Sequence, residues 1–208
     1  MVRVKGPLFS LEASGTIASS IVFSKWKGRD YVRRHAIPSN PKSGLQVGIR
    51  SVFKWISQDY ANLSAADISD WTSLAAGDNI TPLNAQIRDG VDRARRNLGW
   101  RENTTDTAST APNAPTSATA TAQPKTLVLD WTDPATNEAD YCIAIYRSTV
   151  TGFTPDISNL VGIVAVGVET YTDIGLTAGT EYFYRARGIN TDGVLGALIA
   201  EFSGTPTS

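Results

Sequence analysis

Residues that carry covalent or redox chemistry are almost missing from this sequence. Among 208 residues there are one cysteine and one histidine, and 19 Lys and Arg nearly balance 20 Asp and Glu. A lone Cys142 excludes an intramolecular disulfide framework. The same two counts exclude zinc sites built from several Cys and His ligands. No apolar run is long enough to span a bilayer, so no membrane partner is expected.

The near-zero net charge conceals two regions of opposite sign. Residues 1–101 hold fifteen basic and eight acidic residues, a net charge of +7, whereas residues 102–208 hold four basic and twelve acidic ones, a net charge of −8. Such a division predicts two domains with different partners.

The stretch Ser20–Ala36, SIVFSKWKGRDYVRRHA, predicts two short strands joined at Lys27-Gly28. Gly28 can take the positive φ of a primed hairpin turn and is therefore a predicted structural residue. Aromatic and basic side chains dominate this ribbon, which suits either a protein interface or a nucleic-acid backbone. We predict a protein docking interface formed by Phe23, Lys25, Trp26, Lys27, Arg29, Tyr31, Arg33 and Arg34.

Three helical patterns follow the hairpin. The first is expected to begin near residues 41–43, Ser64 and Thr81 are expected to cap the next two, and the third is expected to end at residues 98–99. The apolar residues expected to face inward are Leu45, Ile49, Val52, Phe53, Ile56, Tyr60, Ile68, Trp71, Leu74, Ile87, Val91, Ala94 and Leu98.

Composition then divides the chain. Residues 102–117 are rich in Thr, Ser, Ala and Pro and show no periodicity, which is typical of a linker. We predict a docking domain at 1–101 with an α+β fold, made of an extended arm, a β-hairpin and about three helices. The hairpin is expected to pack on the helices. A linker at 102–111 and an all-β domain at 112–208 follow.

Period-two alternation marks the C-terminal part. About seven short apolar-alternating runs, separated by turn signals such as Asp133-Pro134 and Asp192-Gly193, predict a β-sandwich.

The same part carries a family resemblance. The segments APNAPTSATATAQPKTLVLDWTDP, DYCIAIYRS and ETYTDIGLTAGTEYFYRARGINTDG resemble a fibronectin type III domain, an immunoglobulin-like sandwich, over about residues 112–206. The resemblance implies that Trp131 is the buried tryptophan of strand B. It also implies that Leu176 opens the turn into strand F and that Tyr182 forms the tyrosine corner.

A second resemblance concerns the first hundred residues. The run SKWKGRDYVRRHAIPSNPKSGLQVGIRSVFKWIS is similar to small virion structural proteins of tailed bacteriophages. The resemblance implies that the protein is a structural component of a virion. The virion would be assembled in the host cytoplasm. The partners would be capsid, neck or tail proteins. Association with further copies of the same chain is a second possibility.

Catalytic and metal chemistry have weak candidates. His35 lies beside arginines with nothing to orient it, and Cys142 lies on a predicted strand without a basic neighbour closer than Arg147. Calcium binding near Asp130, Asp133, Asn137, Glu138 and Asp140 is conceivable because oxygen ligands cluster there, but their spacing fits no EF-hand loop. No enzyme, no cofactor and no metal site is therefore expected.

Three functions remain open. The favoured one is a non-enzymatic virion structural protein that docks through its N-terminal domain and displays the fibronectin-like domain outward. A nucleic-acid-binding protein that uses the basic hairpin is the first alternative. The second is an accessory carbohydrate- or cell-wall-binding component, with a host-surface glycan bound by the C-terminal domain.

Overall fold

The computed structural model describes residues 2–3, 15–17, 21–36, 40–104 and 109–208. The chain forms two compact units, Met1–Pro41 and Lys42–Ser208. Three helices and an all-β sandwich are present, as predicted. Among the described residues, no helix is both long and apolar enough to cross a membrane.

The first unit is an antiparallel sheet of four strands in the order β1-β4-β3-β2. These strands are β1 (Val2–Arg3), β2 (Gly15–Ile17), β3 (Ile21–Trp26) and β4 (Arg29–Arg34). The predicted arm therefore pairs with the chain's own hairpin through β1 and β2, and its remaining residues lie outside the described ranges. Two added strands give the hairpin the support that an isolated ribbon lacks in water.

The turn between β3 and β4 is of the primed type, as predicted. Trp26 pairs with Arg29, which leaves Lys27 and Gly28 as the two-residue loop. Both loop residues have positive φ, 48° at Lys27 and 74° at Gly28. This combination matches the right-handed twist of the flanking strands.

The second unit begins with three helices: α1 (Gly44–Asp59), α2 (Ala65–Ala76) and α3 (Pro82–Arg95). The two predicted caps are confirmed, because the Ser64 hydroxyl accepts the N–H of Asp67 and the Thr81 hydroxyl accepts the N–H of Asn84. Helix α3 ends at Arg95, before the predicted Leu98.

A sandwich of two antiparallel sheets completes this unit, with strand orders β5-β6-β9 and β11-β10-β7-β8. This is the arrangement of fibronectin type III domains. Its strands are β5 (Thr116–Gln123), β6 (Thr126–Thr132), β7 (Cys142–Ser148), β8 (Leu160–Ala165), β9 (Thr170–Ile174), β10 (Tyr182–Ile189) and β11 (Phe202–Gly204). The last of these strands, β11, covers only three residues.

Strand β7 is buried on both faces. Ile143 and Ile145 point into the sandwich interior. Cys142, Ala144 and Tyr146 point to the opposite side.

The helices cover that opposite side. A second core there joins Val52 and Ile56 of α1 and Ala94 of α3 to the outward side chains of β7. The helices thus share a core with the four-stranded sheet of the sandwich.

The structure divides the chain differently from the predicted boundaries at 101 and 112. The Trp71 indole N–H donates to the Glu102 carbonyl at 2.7 Å, and the Glu102 N–H donates to the Thr191 carbonyl at 2.8 Å. The Asn190 amide donates to the Thr110 carbonyl at 2.8 Å. The described residues of the predicted linker are therefore bound to the sandwich, and the helices belong to that unit.

The inward faces of the helices also differ from the expectation. Leu45, Phe53, Leu74 and Leu98 are between 44 and 52% exposed. Small residues occupy much of the contact instead, among them Gly48 and Gly90. The backbones approach each other closely at these contacts, and only small side chains fit there. Periodicity alone selects large apolar residues and therefore misses such positions.

Two glycines seat α1 on the loop before β8. A Cβ added at Gly44 would overlap the carbonyl of Ser158, and one added at Gly48 would overlap the carbonyl of Ile157. Both obstacles are backbone atoms, so rotation of a side chain cannot relieve the overlap.

We expect Gly48→Ala to lower the free energy of unfolding by about 1–3 kcal/mol, the usual cost of overpacking a core contact. Gly77→Ala is the matched control, since the nearest atom to its added Cβ is the Leu74 carbonyl oxygen at 3.9 Å. Denaturant unfolding of both variants measures the difference. Equal stability of the two variants would contradict the close seating of α1.

Candidate functional site

The hairpin tip presents an exposed tryptophan among cations. Trp26 is 62% exposed, and the Lys27 Nζ lies 4.9 Å from its ring centroid. Lys25, Arg29 and Arg33 are also exposed. Tryptophan and arginine are enriched at the energetic centres of protein interfaces, so the hairpin tip is a candidate binding surface.

Register divides the predicted interface between the two faces of the ribbon. Side chains directly opposite each other share a face. Trp26 pairs with Arg29 and Ser24 with Tyr31, so these side chains lie on one face. Arg33 follows on that face, opposite Val22.

The other predicted interface residues project from the opposite face. Phe23 pairs with Val32, and Arg34 pairs with Ile21. Phe23 is buried, so it supports the sheet and offers no surface to a partner, contrary to its assignment to the docking interface. The face that carries Trp26 therefore combines it with Arg29, Tyr31 and Arg33, and Lys27 lies in the adjoining turn, whereas Lys25 and Arg34 belong to the opposite face.

The positive charge belongs to this unit rather than to the helices. Residues 1–41 carry seven basic and two acidic residues, a net charge of +5, whereas residues 42–101 carry eight basic and six acidic ones, a net charge of +2. Most of the excess positive charge of residues 1–101 therefore lies on the unit that contains the hairpin sheet.

The structural residues of the sandwich lie where the family resemblance implies. Trp131 and Leu176 are each 4% exposed and belong to the interior. The Tyr182 hydroxyl accepts the N–H of Thr177 at 3.1 Å, which is the tyrosine corner.

A buried ion pair near this corner has no signal in the sequence. Arg147 donates to both oxygens of Asp173, at 2.9 and 2.7 Å, and the Tyr184 hydroxyl donates to the same carboxylate at 2.8 Å. Asp173 is 5% exposed. Because every partner is satisfied inside the fold, the arrangement is structural.

The two catalytic candidates, Cys142 and His35, belong to different units. Cys142 is fully buried between the sheet and the helices, and burial raises the pKa of its thiol well above the usual value. A buried neutral thiol is a poor nucleophile. His35 is on the hairpin unit, just past the end of β4.

The carboxylates considered for calcium serve local structure. Asp133 accepts the N–H of Gly167 at 3.3 Å, Asp140 accepts the N–H of Thr191 at 2.9 Å, and Asn137 donates to the carbonyl of Ala111. Within the described part of the chain, no group of three or more His, Cys, Asp or Glu side chains could hold a metal ion.

Two half-buried carboxyls were not expected from the sequence. Burial raises the pKa of Asp59, at the end of α1. It also raises the pKa of Glu102, with a further contribution from the charge of Asp59. Helical periodicity does not reveal such a pair, because Glu102 reaches it from the segment after α3.

Comparison with known proteins finds no matching family model and no match among curated proteins. Solved structures similar to the chain include a β-1,2-glucanase from Parabacteroides distasonis, at 21% identity and a TM-score of 0.42 over 51% of this chain and 14% of the glucanase. A Fn3-like protein from Clostridium thermocellum has 25% identity and a TM-score of 0.38 over 48% of this chain and 97% of that one. The fibronectin type-III domain of human fibronectin type III domain containing protein 3 has 17% identity and a TM-score of 0.38, over 50% and 93%.

We expect the Cys142 thiol of the folded protein to react with a disulfide reagent on the order of 10²-fold more slowly than the same thiol in denaturant, because reaction requires local opening. Spectrophotometric thiol titration with and without denaturant measures this ratio. Comparable rates would show that the core between helices and sheet opens readily.

Proposed function

We propose that the chain is a non-enzymatic assembly protein of a tailed-bacteriophage virion, serving as a capsid decoration, neck or tail accessory. Its hairpin sheet docks on another virion protein, and the helix-covered fibronectin-like unit is the part displayed. The observation that carries this proposal is Trp26, 62% exposed at the tip of the basic ribbon. The virion itself is proposed from the resemblance of residues 24–57 to phage structural proteins.

The chemistry of the hairpin supports a protein partner. Tryptophan, tyrosine and arginine are the side chains most enriched at the centres of protein interfaces. Trp26, Tyr31 and Arg33 share one face of the ribbon. Docking would therefore depend more on aromatic burial than on the number of cations.

The carbohydrate alternative has less support from the exposed aromatic surface. Of the four tryptophans in residues 42–208, three are at most 4% exposed: Trp71, Trp100 and Trp131. The fourth, Trp55, is half-buried with its ring edge against Tyr141. None of these four tryptophans is thus an exposed sugar-stacking platform, although Phe53 of α1 is 52% exposed.

We expect Trp26→Ala to reduce incorporation of the chain into particles by about tenfold, the effect of removing an interface anchor. Particles purified from the source that encodes the chain, analysed by quantitative mass spectrometry, provide the measurement. Val150→Ala, at a residue 65% exposed on the sandwich, is the control and should leave incorporation unchanged. A protein absent from the particles would refute the virion role.

The nucleic-acid alternative is tested by a titration of the full chain with DNA and RNA oligonucleotides at low and moderate salt. We expect weak binding at low salt that disappears at moderate salt, because a modest positive field attracts any polyanion. Replacing Lys27, Arg29, Arg33 and Arg34 by glutamine should remove it. Tight binding that persists at moderate salt and depends on these cations would favour nucleic acid over a protein partner.

A further inference from the structure

The segment that follows α3, residues 99–104, ties the helices to the sandwich, and we call it the strap. The backbone of Glu102 is bonded on both sides. Its carbonyl accepts the Trp71 indole N–H of α2 at 2.7 Å, and its N–H donates to the Thr191 carbonyl of the sandwich at 2.8 Å. Asn103 adds a second bond to the sandwich, from its side-chain amide to the Asp192 carboxylate at 3.0 Å. A change at Glu102 therefore reaches both layers.

The strap is also fixed to α3. The Arg93 side chain donates to the Gly99 carbonyl at 2.7 Å. Arg101, the one cation in the strap, donates to both carboxylate oxygens of Asp89 at 3.1 and 3.2 Å. The positive charge of the strap is thus paired with α3.

Carboxylates of the sandwich and of α2 lie close to Glu102. Asp140, in the segment before β7, accepts the N–H of Thr191 at 2.9 Å. The backbone of Thr191 is therefore bonded to Asp140 on one side and to Glu102 on the other. On α2, Asp67 lies one turn before Trp71, whose indole is bonded to the Glu102 carbonyl.

Helix α1 supplies a further carboxylate, Asp59, at its last residue. One turn earlier, the Trp55 ring lies edge-on against Tyr141, with 5.7 Å between the ring centroids. Tyr141 directly follows Asp140 in the chain, so α1 ends beside the same segment of the sandwich. The two helices, the strap and the sandwich thus each place one carboxylate at this junction.

The ionised form of this cluster is unfavourable in the folded protein. Burial raises the pKa of Glu102 first, and the charges of the three neighbouring carboxylates raise it further. Burial also raises the pKa of Asp59, against smaller opposing effects of neighbouring polar side chains. A carboxyl whose pKa is higher in the folded state contributes stability that is complete below its unfolded pKa of about 4. That stability is lost as the pH rises through the folded value.

The other ionisable groups around the cluster do not reverse this sign. Burial raises the pKa of Tyr141 and of the Cys142 thiol, so both stay neutral. Arg101 is paired with Asp89 at 3.1 Å. Asp192, at the sandwich end of the strap, is a further carboxylate. The junction therefore gains negative charge as the pH rises.

We infer that the strap is a pH-dependent clamp, which holds the helical layer on the sandwich in acid and loosens when Glu102 and Asp59 ionise. The clamp lies within the second unit, and it does not depend on which partner the hairpin binds.

Hydrogen exchange of the full-length protein tests the clamp at two of its bonds, the Trp71 indole N–H and the Glu102 backbone N–H. Their protection factors, which are corrected for the intrinsic effect of pH on exchange, should fall about tenfold from about pH 5 to about pH 8. Glu102→Gln keeps the backbone bonds and the size of the side chain but removes its titration. The fall should be several-fold smaller in this variant and absent when Asp59→Asn is added.

Thermal unfolding gives a second measurement. Glu102→Gln should melt at a higher temperature than the wild type at about pH 8, and the difference should vanish near pH 4, where the carboxyl is protonated in both states. Asp59→Asn should behave in the same way, and it carries the test if Glu102→Gln does not fold. Glu138→Gln is the matched control, because Glu138 is an exposed carboxyl two residues before Asp140. It should keep the pH dependence of the wild type.

Three results would overturn the inference. The first is protection at the two bonds that does not change with pH in the wild type. The second is a pH dependence that survives in the double variant or disappears in Glu138→Gln. The third is a loss of stability in Glu102→Gln that is equal at both pH values, since this would leave the side chain a structural role alone.

Discussion

The second unit depends on the burial of one strand from both sides. Strand β7 contributes Ile143 and Ile145 to the sandwich interior, and Cys142 and Tyr146 to the core beneath the helices. Neither core can form without it. A fibronectin-like sandwich commonly leaves the outer face of this sheet to water, as antiparallel sheets can. Here the helices cover that face, so the second unit is a sandwich with a helical layer.

The sequence predicted the elements better than their association. The Lys27-Gly28 turn and the caps at Ser64 and Thr81 were predictable because each depends on local chemistry. The tyrosine corner at Tyr182 was implied by the family resemblance. The boundary at residue 101 was not, because it depends on contacts between residues far apart in the chain. One signal was present: the run from Cys142 to Tyr146 lacks the polar residue at every second position that a solvated face requires.

The candidate interface was likewise predictable in composition and not in geometry. Its basic and aromatic content is plain in the sequence, but strand register decided that Trp26, Tyr31 and Arg33 share a face and that Phe23 turns inward. Because the helices belong to the second unit, the first unit is residues 1–41, and these residues carry most of the excess positive charge. The first unit is therefore a small basic sheet, while residues 42–208 carry the negative charge.

The seating of α1 on the sandwich has a consequence for synthesis on the ribosome. The Ser51 hydroxyl donates to the Val161 carbonyl, 110 positions later in the chain. At about 5–20 residues per second, roughly 5–20 s separate the translation of the helix from that of its partner strand. During that interval Val52 and Ile56 can pack on α3, but the sheet side of their core is still missing. The helices of the nascent chain thus keep an apolar face uncovered until β7 and β8 have been made.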